Sequence, residues 1–390
     1  MSEAQNRSAV AAAASEALKA LDGREAPRVL LGFDGFIDNI IRVVDQRQTT
    51  TQFSRVPTIK AFAEKIHAAD GRSANFEFVV TQTKLGGNGP IMANALMHGG
   101  AEVAYVGALG ANGTIDPVFA DFAERASCHS VCEPGVTDAV EFDNGKLMFG
   151  KYHQMSAMDA DMLKAALPDG VLERLVGSAS LIGMANWTML PNIESAWAHV
   201  ASLIPEADRP EDRPYLFVDF ADPAKRPREH LRSALDLLTR MQDRARVVLG
   251  MNLSESDQVL DAMQQPSFSG NPDDRAARDA IVDTAERIRE VLGITGAVVH
   301  PREAAAAAML VDGRVSSARF AGPYIGTPRL STGAGDNFNA GFCLGLLAGL
   351  DVAGCLACGT GTSGFYVREA RSPERHELAR FLQTLPPPEA

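Results

Sequence analysis

The sequence predicts an α/β fold in which helices flank both faces of a doubly wound, mostly parallel sheet. Three observations support this prediction. Short apolar segments of strand length recur along the chain, and segments with helical spacing separate them. Acidic residues follow several of these strands, at the edge where open α/β sheets bind ligands. The candidate strands are 28–32, 102–109, 181–184, 215–220, 246–249 and 297–300.

The composition limits the class of protein. The chain has 390 residues, enough for one large domain or two, and its hydrophobic (46%) and charged (22%) contents are typical of a soluble globular protein. A net charge of −12 argues against general binding of nucleic acid. No apolar run reaches the roughly 18 residues of a membrane span, and five cysteines form no disulfide framework. We therefore expect a cytoplasmic protein.

Residues 1–27 are predicted to form a helical arm before the main domain, 28–390. The apolar segment 8–21 is interrupted by Glu16 and Lys19, which argues against a secretory signal and indicates a short amphipathic helix. Further along, segment 264–279 is rich in Pro, Ser, Asp and Arg, so we expect an exposed insertion there.

Two acids follow the first candidate strand, in the segment GFDGFID. Asp34 and Asp38 lie on either side of Gly35, at a strand end where ligands bind in open sheets. A carboxylate accepts two hydrogen bonds at once, which suits sugar hydroxyls. The residues alone leave a second interpretation open, which is a turn with solvated acids.

A helix with regularly spaced glycines is predicted near residues 334–350. Gly341, Gly345 and Gly349 recur every fourth residue and lie roughly on one face. Each glycine inside a helix costs about 1 kcal/mol relative to alanine. We therefore expect this face to pack closely against another backbone.

The start of this helix carries the chemistry. Its first amide groups have no intrahelical partner, and Gly333 and Gly335 let an anion such as phosphate approach them. A carboxylate beside phosphate repels it, unless the carboxylate takes a proton from an attacking hydroxyl. Asp336 is therefore a candidate general base for phosphoryl transfer. A helix N-cap explains Asp336 equally well at this level.

The segment T-G-A-G-D-N-F-N-A-G, residues 332–341, resembles the C-terminal signature of the ribokinase-like (PfkB) carbohydrate kinases over ten consecutive positions. The resemblance implies that Asp336 is the catalytic base. It also implies that Gly333, Ala334 and Gly335 form the anion hole that stabilises the developing charge.

The resemblance covers about residues 28–380 and implies a ribokinase-like fold with a small β lid over the sugar. We expect the lid strands within about 40–56, 74–84 and 138–154. An Asp-Asn-Gly turn at 143–145 predicts a hairpin in the last of these segments. Trp187 follows the candidate strand 181–184, where either stacking on a sugar or burial in the core would explain it.

The resemblance also identifies candidate substrate residues. The family grips its sugar with an Asp after the first strand, and Asp38 matches that position, with Asp34 as an additional acid. The segment L-G-G-N-G-P resembles the N-terminal signature of the family and assigns Gly86, Gly87 and Asn88 to the sugar. Both segments are similar to those of ADP-dependent sugar kinases as well.

On the nucleotide side, Asn252 and Glu255 resemble an N-x-x-E element that organises Mg²⁺ and phosphate, with Glu255 acting through water. Thr332 and Gly359 are also assigned to the nucleotide. Two departures from the family pattern stand out. Residues 300–305 (HPREAA) replace a T-x-G-x-x-G loop, and Leu330 replaces an Asp that helps to hold a monovalent cation. We therefore expect little response to potassium.

Together these features predict a kinase that uses ATP and Mg²⁺ to phosphorylate a hydroxyl of a small sugar or sugar derivative. The expected partners are this sugar, the nucleotide and a second copy that binds through the lid, with neither nucleic acid nor membrane. An ADP-dependent sugar kinase and a nucleoside kinase are the alternatives within this chemistry. An inactive sugar- or nucleotide-binding protein is the alternative of another class, favoured by the missing loop glycines and opposed by Asp336. The sequence does not identify the sugar.

Overall fold

The computed structural model describes residues 3–267 and 280–388. Most of the expected insertion at 264–279 therefore lies outside the described residues. The strands are β1 (Arg28–Gly32), β2 (Phe36–Arg47), β3 (Phe53–Arg55), β4 (Phe78–Gly86), β5 (Glu102–Gly107), β6 (Ser127–Ser130), β7 (Gly135–Phe142), β8 (Gly145–Lys151), β9 (Leu181–Ala185), β10 (Tyr215–Asp219), β11 (Arg246–Met251), β12 (Gly296–Val299), β13 (Ala304–Val311) and β14 (Arg314–Ala321).

The described helices follow the strands in the alternation that the sequence predicts. They are α1 (Glu3–Lys19), α2 (Ile59–His67), α3 (Asn88–His98), α4 (Ala120–Ala123), α5 (His153–Ser156), α6 (Ala160–Ala166), α7 (Val171–Ser178), α8 (Ile193–Ser202), α9 (Arg228–Met241), α10 (Leu253–Ala262), α11 (Ile281–Leu292), α12 (Ala334–Leu347), α13 (Val352–Glu369) and α14 (Arg375–Gln383). None of them is long and apolar enough to cross a membrane.

A nine-stranded sheet forms the centre of the molecule, in the order β14-β13-β12-β11-β10-β9-β1-β5-β6. Seven strands run parallel, namely β12, β11, β10, β9, β1, β5 and β6, whereas β13 and β14 are antiparallel at one edge. Helices α6 to α11 cover one face, and α1, α3, α12, α13 and α14 cover the other. The predicted doubly wound α/β fold is therefore confirmed.

The strand order places the ligand-binding edge of the sheet. The chain leaves β1 for β5 and β6 on one side and returns to β9 on the other side of β1. Such a reversal opens a crevice beyond the carboxyl ends of the two strands, where open α/β sheets bind ligands. The segments that follow β1, β9, β10 and β11 all lie at this edge.

A second, five-stranded sheet is built from β2, β3, β4, β7 and β8. Its outer part has its own small core, in which Phe62 of α2 packs on Ile41, Val43, Val140 and Phe142. This is the small sheet that the resemblance implies as a lid, and "the lid" below means these five strands with α2. Strand β2 begins at residue 36, so Asp38 lies within the lid and not in a free loop.

The N-terminal helix α1 packs against the body of the molecule. Leu18 is fully buried, and the Ser15 hydroxyl donates to the carbonyl of Ala379 in α14 at 2.7 Å. Arg7 Nε donates to the carbonyl of Ala321 at the end of β14, also at 2.7 Å. These contacts fix the helix to the outer side of α14 and to the edge of the large sheet.

The glycines of α12 have two different roles. A Cβ on Gly341 would lie 2.5 Å from the carbonyl oxygen of Cys358, and one on Gly345 would lie 2.7 Å from the Cα of Cys355. Close packing against the backbone of α13 is therefore confirmed for these two positions. It is wrong for Gly349, which lies beyond the helix end with φ +70° and open space around it.

Candidate active site

The candidate active site lies where the crevice meets the first turns of α3 and α12. Asp34 follows β1, Asp219 ends β10 and Asp336 lies in α12, and all three carboxylates are buried. Asn88, the first residue of α3, connects two of them. Segments from opposite ends of the chain thus converge on one acidic centre.

Asp336 is the third residue of α12, and Gly333 occupies the cap position. The N-cap interpretation of Asp336 therefore does not describe this structure. Its Oδ1 atom accepts a hydrogen bond from Asn88 Nδ2 at 2.9 Å. Burial, and then the charge of Asp219, raise the pKa of Asp336 well above the usual range of a carboxyl group. The side chain is held in place while its proton affinity is increased, which suits a general base.

The glycine turn before α12 has a defined shape. Gly333 has φ +89°, a conformation that glycine adopts without strain, and a Cβ there would lie 2.9 Å from the Tyr366 hydroxyl. That hydroxyl donates to the carbonyl of Thr332 at 2.8 Å. Asn337 Nδ2 donates to the carbonyl of Gly333 at 2.9 Å. The Ala334 amide donates to the carbonyl of Ser331 at 3.2 Å. The amides of Gly333 and Gly335 are therefore the ones that this turn offers to an anion.

Access to these amide groups differs between the glycines. At Gly335, the nearest atom to an added Cβ would be Cε1 of His300 at 3.7 Å, so the position is open. Ala334 and Gly335 both line a large cavity, described below.

Asp34, which the sequence predicts as an additional sugar ligand, is held by groups of the protein in this structure. Its side chain has no exposed surface, and its carboxylate accepts from the amides of Asn88 (2.9 Å) and Gly89 (2.8 Å) and from Asn186 Nδ2 (2.7 Å). Burial raises its pKa to about 6, although these hydrogen bonds oppose the shift. All donors come from the protein, so we interpret Asp34 as the group that positions the start of α3 and not as a sugar ligand.

Asn88, predicted to contact the sugar, lies between two of the acids. Its backbone amide donates to Asp34 and its side-chain amide donates to Asp336. Gly87, which precedes it, has φ +103°, and a Cβ there would come within 3.1 Å of Asp34 Oδ2. The diglycine turn therefore brings α3 close to the carboxylates, and in this structure Asn88 bridges the two acids.

Asp38 lies near the start of β2 in the lid, and its side chain is partly exposed. It is paired in register with Lys84 of β4 and with Thr137 of β7. Burial raises the pKa of Asp38, while Lys84, the Thr137 hydroxyl and Lys146 oppose the shift. A Cβ on Gly86 would lie 2.4 Å from Asp38 Oδ2, so this glycine leaves the space that the carboxylate fills. Of the two acids after β1, Asp38 is the one that is available to a ligand.

A second acidic pair lies beyond β10 and β11. Glu255 accepts from the amides of Asp222 and Asn252, both at 2.9 Å, and Asn252 Oδ1 accepts from the amide of Glu255 in return, at 3.0 Å. Asp219 accepts from Asn339 Nδ2 at 2.6 Å. Burial, followed by the charge of Asp219, raises the pKa of Glu255, because two carboxylates lie close together in a buried place.

A cavity of about 570 Å³ opens beside the glycine turn and is large enough for a nucleotide. Asn252 and Thr332, both assigned to the nucleotide from the sequence, line this cavity, and so do His300 and Arg302 from the segment that replaces the family's glycine loop. The His300 ring stacks on Phe338, with 4.5 Å between the ring centroids.

The resemblance assigns Gly359 to the nucleotide, and the sequence leaves two interpretations of Trp187 open, stacking on a sugar or burial. The structure places both residues in the core. Gly359 is buried in α13, and a Cβ there would lie 2.8 Å from the Phe338 ring, so its function is to admit that ring. Trp187 is fully buried, and the Arg226 guanidinium covers its ring at 3.6 Å. Neither residue lines the cavity.

Sequence reasoning missed three residues of the site. Asn186, at the end of β9, holds Asp34, while Asn339 holds Asp219 and Tyr366 holds the glycine turn. Asn339 lies three positions after Asp336, hence on the same side of α12, and that spacing could have indicated it. Asn186 and Tyr366 carry no local signal, since their partners lie far away in the sequence.

Comparisons with known proteins identify the family and the fold. The family model of prokaryotic ketohexokinase matches residues 3–385. A ketohexokinase of Haloferax volcanii is 31% identical over 360 residues, which is 91% of this chain and 90% of the relative. Ribokinase of Thermotoga maritima has a TM-score of 0.59 with 14% identity over 92% of this chain and 99% of its own. Ribokinase of Cryptococcus neoformans in complex with ADP has a TM-score of 0.61 with 14% identity over 91% and 99%. The chain therefore belongs to the prokaryotic ketohexokinase family and is a carbohydrate kinase with the ribokinase-like fold.

Proposed function

We propose that this protein transfers the terminal phosphoryl group of ATP to a primary hydroxyl of a ketohexose, with Asp336 as the general base. The observation that supports the proposal most directly is the position of Asp336. It lies beside a glycine turn whose amides can bind an anion, and Asn88 holds it from the side of the lid. The acceptor follows from the family and from the Haloferax relative, which is a ketohexokinase.

The proposed reaction uses three parts of the site in sequence. Asp38 binds the hydroxyls of the sugar and turns one of them toward the glycine turn. Asp336 accepts the proton of that hydroxyl. At the same time the oxygen of the sugar hydroxyl forms a bond to the terminal phosphorus, and the bond from this phosphorus to the ADP oxygen breaks. The amides of Gly333 and Gly335 stabilise the charge on the phosphoryl oxygens. The proton then passes from Asp336 to solvent.

We propose a single kinase domain, 28–390, that includes the lid, with 1–27 as a helical segment packed on its surface.

Within this domain, Asp34 is proposed to position other groups of the site without contacting a ligand. It fixes the turn at Gly87 and Asn88, and Asn88 in turn fixes Asp336. Four hydrogen bonds reach this buried carboxylate, the longest from the Tyr105 hydroxyl at 3.4 Å, and together they make the arrangement rigid. A rigid base within reach of the acceptor is what proton transfer requires.

Magnesium is part of the proposal, and the residues at Glu255 fit it. Asp219 and Glu255 supply hard oxygen atoms, and Asn339 Oδ1 is a buried acceptor without a partner among the described residues. Both oxygens of Glu255 already accept amide hydrogens, so we propose that it holds the ion through water. The ion would neutralise phosphate charge and relieve the repulsion between the carboxylates.

The cavity beside the glycine turn is the proposed nucleotide site. Thr332 and Asn252 line it at the end where the phosphates would meet the anion hole. Arg302 is the cation that the segment after β12 offers to them in place of the family's glycine loop. Gly359 serves the same site indirectly, by placing the Phe338 ring beside the cavity.

A donor and acceptor screen tests the proposed function. Purified protein is incubated with Mg²⁺ and either ATP or ADP, and with fructose, glucose, ribose or a nucleoside, and phosphorylated product is measured by mass spectrometry. We expect product from ATP with the ketohexose. Product only from ADP would identify an ADP-dependent sugar kinase, and product only from a nucleoside would identify a nucleoside kinase. No product in any combination, together with sugar binding, would identify an inactive binding protein.

We also propose that two copies associate through their lids. Several large apolar side chains of the lid are about half exposed, namely Phe78, Val80, Met148 and Phe149. They lie on β4 and β8, at opposite edges of the small sheet, and an exposed edge strand can pair with another chain. A second lid is the proposed partner for this surface, and light scattering measures the resulting mass.

A further inference from the structure

The hairpin of β7 and β8 reaches from the lid to the glycine turn. Lys146 follows its tight turn, and its Nζ donates to the Thr332 hydroxyl, one residue before Gly333. The turn itself is anchored, because Asn144 Oδ1 accepts from the amide of Ile59 at 3.0 Å. Lys146 is therefore presented to the active site from a supported position.

Lys146 forms no ion pair with a carboxylate of the lid, all of which lies within the described residues. Other cations of the lid form ion pairs, for example Arg42 with Glu141 at 3.0 Å and Lys151 with Asp138 at 2.6 Å. Among the described residues, no carboxylate lies within 4 Å of Lys146 Nζ, and its hydrogen-bond partner is a neutral hydroxyl. An ammonium group that faces a site and has no anionic partner of its own can accept an anionic ligand.

Two neighbours indicate where the ammonium group of Lys146 lies. Lys146 lies at Thr332, and its charge also lowers the pKa of Asp38, although burial keeps that pKa raised overall. Asp38 is the proposed sugar ligand and Thr332 begins the anion hole. The ammonium group therefore lies near the line along which a phosphoryl group would pass from nucleotide to sugar.

The acidic surroundings create a need for such a charge. Three carboxylates, Asp219, Glu255 and Asp336, lie close together in the site, and an incoming nucleotide brings several negative charges more. Phosphoryl transfer depends on groups that stabilise charge on the transferred oxygens. The amides of the glycine turn act from one side, and Lys146 is positioned to act from the lid.

We propose that Lys146 is a further catalytic residue, which leaves the Thr332 hydroxyl when nucleotide and sugar are bound and contacts an oxygen of the transferred phosphoryl group. The proposal rests on the kinase function proposed above. It adds that the lid supplies a positive charge to the reaction in addition to covering the sugar. The same contact would bind the phosphate of the sugar phosphate product.

Four variants test this proposal. Lys146→Met removes the charge, Lys146→Gln keeps a hydrogen-bond donor without charge, and Lys146→Arg keeps the charge. Lys151→Met is the matched control, because Lys151 lies on the same hairpin but pairs with Asp138. Removing one donor to developing charge typically lowers kcat about 10²- to 10³-fold. We expect losses of this size for Lys146→Met and Lys146→Gln, substantial recovery in Lys146→Arg, and normal kcat in Lys151→Met.

Binding of product provides a second measurement that needs no turnover. We expect fructose 1-phosphate to raise the melting temperature of the wild type and of Lys151→Met more than fructose does, and this difference to disappear in Lys146→Met. A kcat of Lys146→Met near that of the wild type would overturn the proposal. So would normal kcat in Lys146→Gln, since the lysine would then act only as a neutral latch on Thr332. Absence of sugar phosphorylation by the wild type would instead refute the proposed function, and the melting shifts would still decide whether Lys146 binds phosphate.

Discussion

Replacing Asp336 by asparagine removes the proposed base and leaves its surroundings nearly unchanged. The two side chains have the same shape, and an asparagine Oδ1 can still accept the 2.9 Å hydrogen bond that Asn88 Nδ2 donates. Gly333, not Asp336, caps the helix, so no cap is lost. The substitution therefore isolates the proton-accepting function from the structure of the site.

The expected loss of activity follows from the proton transfer alone. General base catalysis contributes about 10²- to 10⁴-fold, or roughly 3–5 kcal/mol of transition-state stabilisation. The anion hole and both ligand sites remain, so a residual rate persists and sugar and nucleotide still bind. We expect kcat to fall by about this factor with small changes in KM.

The same substitution should leave the stability of the protein unchanged or raise it, although it lowers kcat. Burial and neighbouring carboxylates raise the pKa of Asp336, so the folded protein holds its proton to a higher pH than the unfolded chain does. Such a group contributes stability below its unfolded pKa and loses that contribution as pH rises through the folded pKa. Asparagine carries no charge, so the variant should melt at the same temperature as the wild type or higher at pH 8.

A coupled assay of ADP release at saturating ATP and ketohexose measures kcat, and a thermal melt measures stability. Asp351→Asn is the matched control, because Asp351 caps α13 by accepting from the amide of Gly354 at 2.8 Å, and asparagine caps a helix about as well. This control should keep both activity and stability. The base assignment is refuted if Asp336→Asn keeps its melting temperature and nearly all of its kcat.

Further predictions concern the sugar, the ions and the lid. Asp38→Ala loses charged hydrogen bonds of about 1.5–3 kcal/mol, so the KM for sugar should rise roughly 10- to 150-fold while nucleotide affinity, measured by calorimetry, stays unchanged. Gly86→Ala should raise the same KM because a Cβ would lie 2.4 Å from the Asp38 carboxylate, whereas the open helical position Gly177→Ala should not. Activity should require Mg²⁺ but not respond when K⁺ replaces Na⁺, since the Tyr366 hydroxyl already holds the glycine turn; strong activation by K⁺ would contradict this. Phe149→Glu should convert a dimer to a monomer in light scattering, and an unchanged mass would exclude this surface as the interface.

Local patterns of the sequence predict much of this fold. Each predicted strand of the large sheet is a short apolar run. Helices cover both faces of such a strand, so the side chains on both faces are buried and apolar. The glycine turn at Gly333 and the helix that follows are also local, since a left-handed residue and unpaired amides depend on neighbouring residues only. For this reason Asp336 and the anion hole could be predicted without a structure.

Tertiary structure decided which of several similar residues are held by other groups of the protein. Asp34 and Asp38 are both acids of one segment, yet Asn88, Gly89 and Asn186 converge on Asp34, while Asp38 remains available on β2. Whether a carboxylate can bind a ligand depends on how many donors of the protein already reach it. These donors to Asp34 lie 54, 55 and 152 positions away in the chain. Sequence spacing cannot express such a meeting.

The same reason explains why the partners of Asn88 and Gly359 could not be predicted from the sequence. Asn88 meets Asp336 across 248 positions, and Gly359 faces Phe338 because α12 and α13 pack against each other. The sequence by itself determined the family and the sheet and indicated the proposed base, because local backbone chemistry and apolar periodicity specify these features. The order of the strands and the packing of the helices then determined which polar groups the protein uses for itself and which it leaves for sugar and nucleotide.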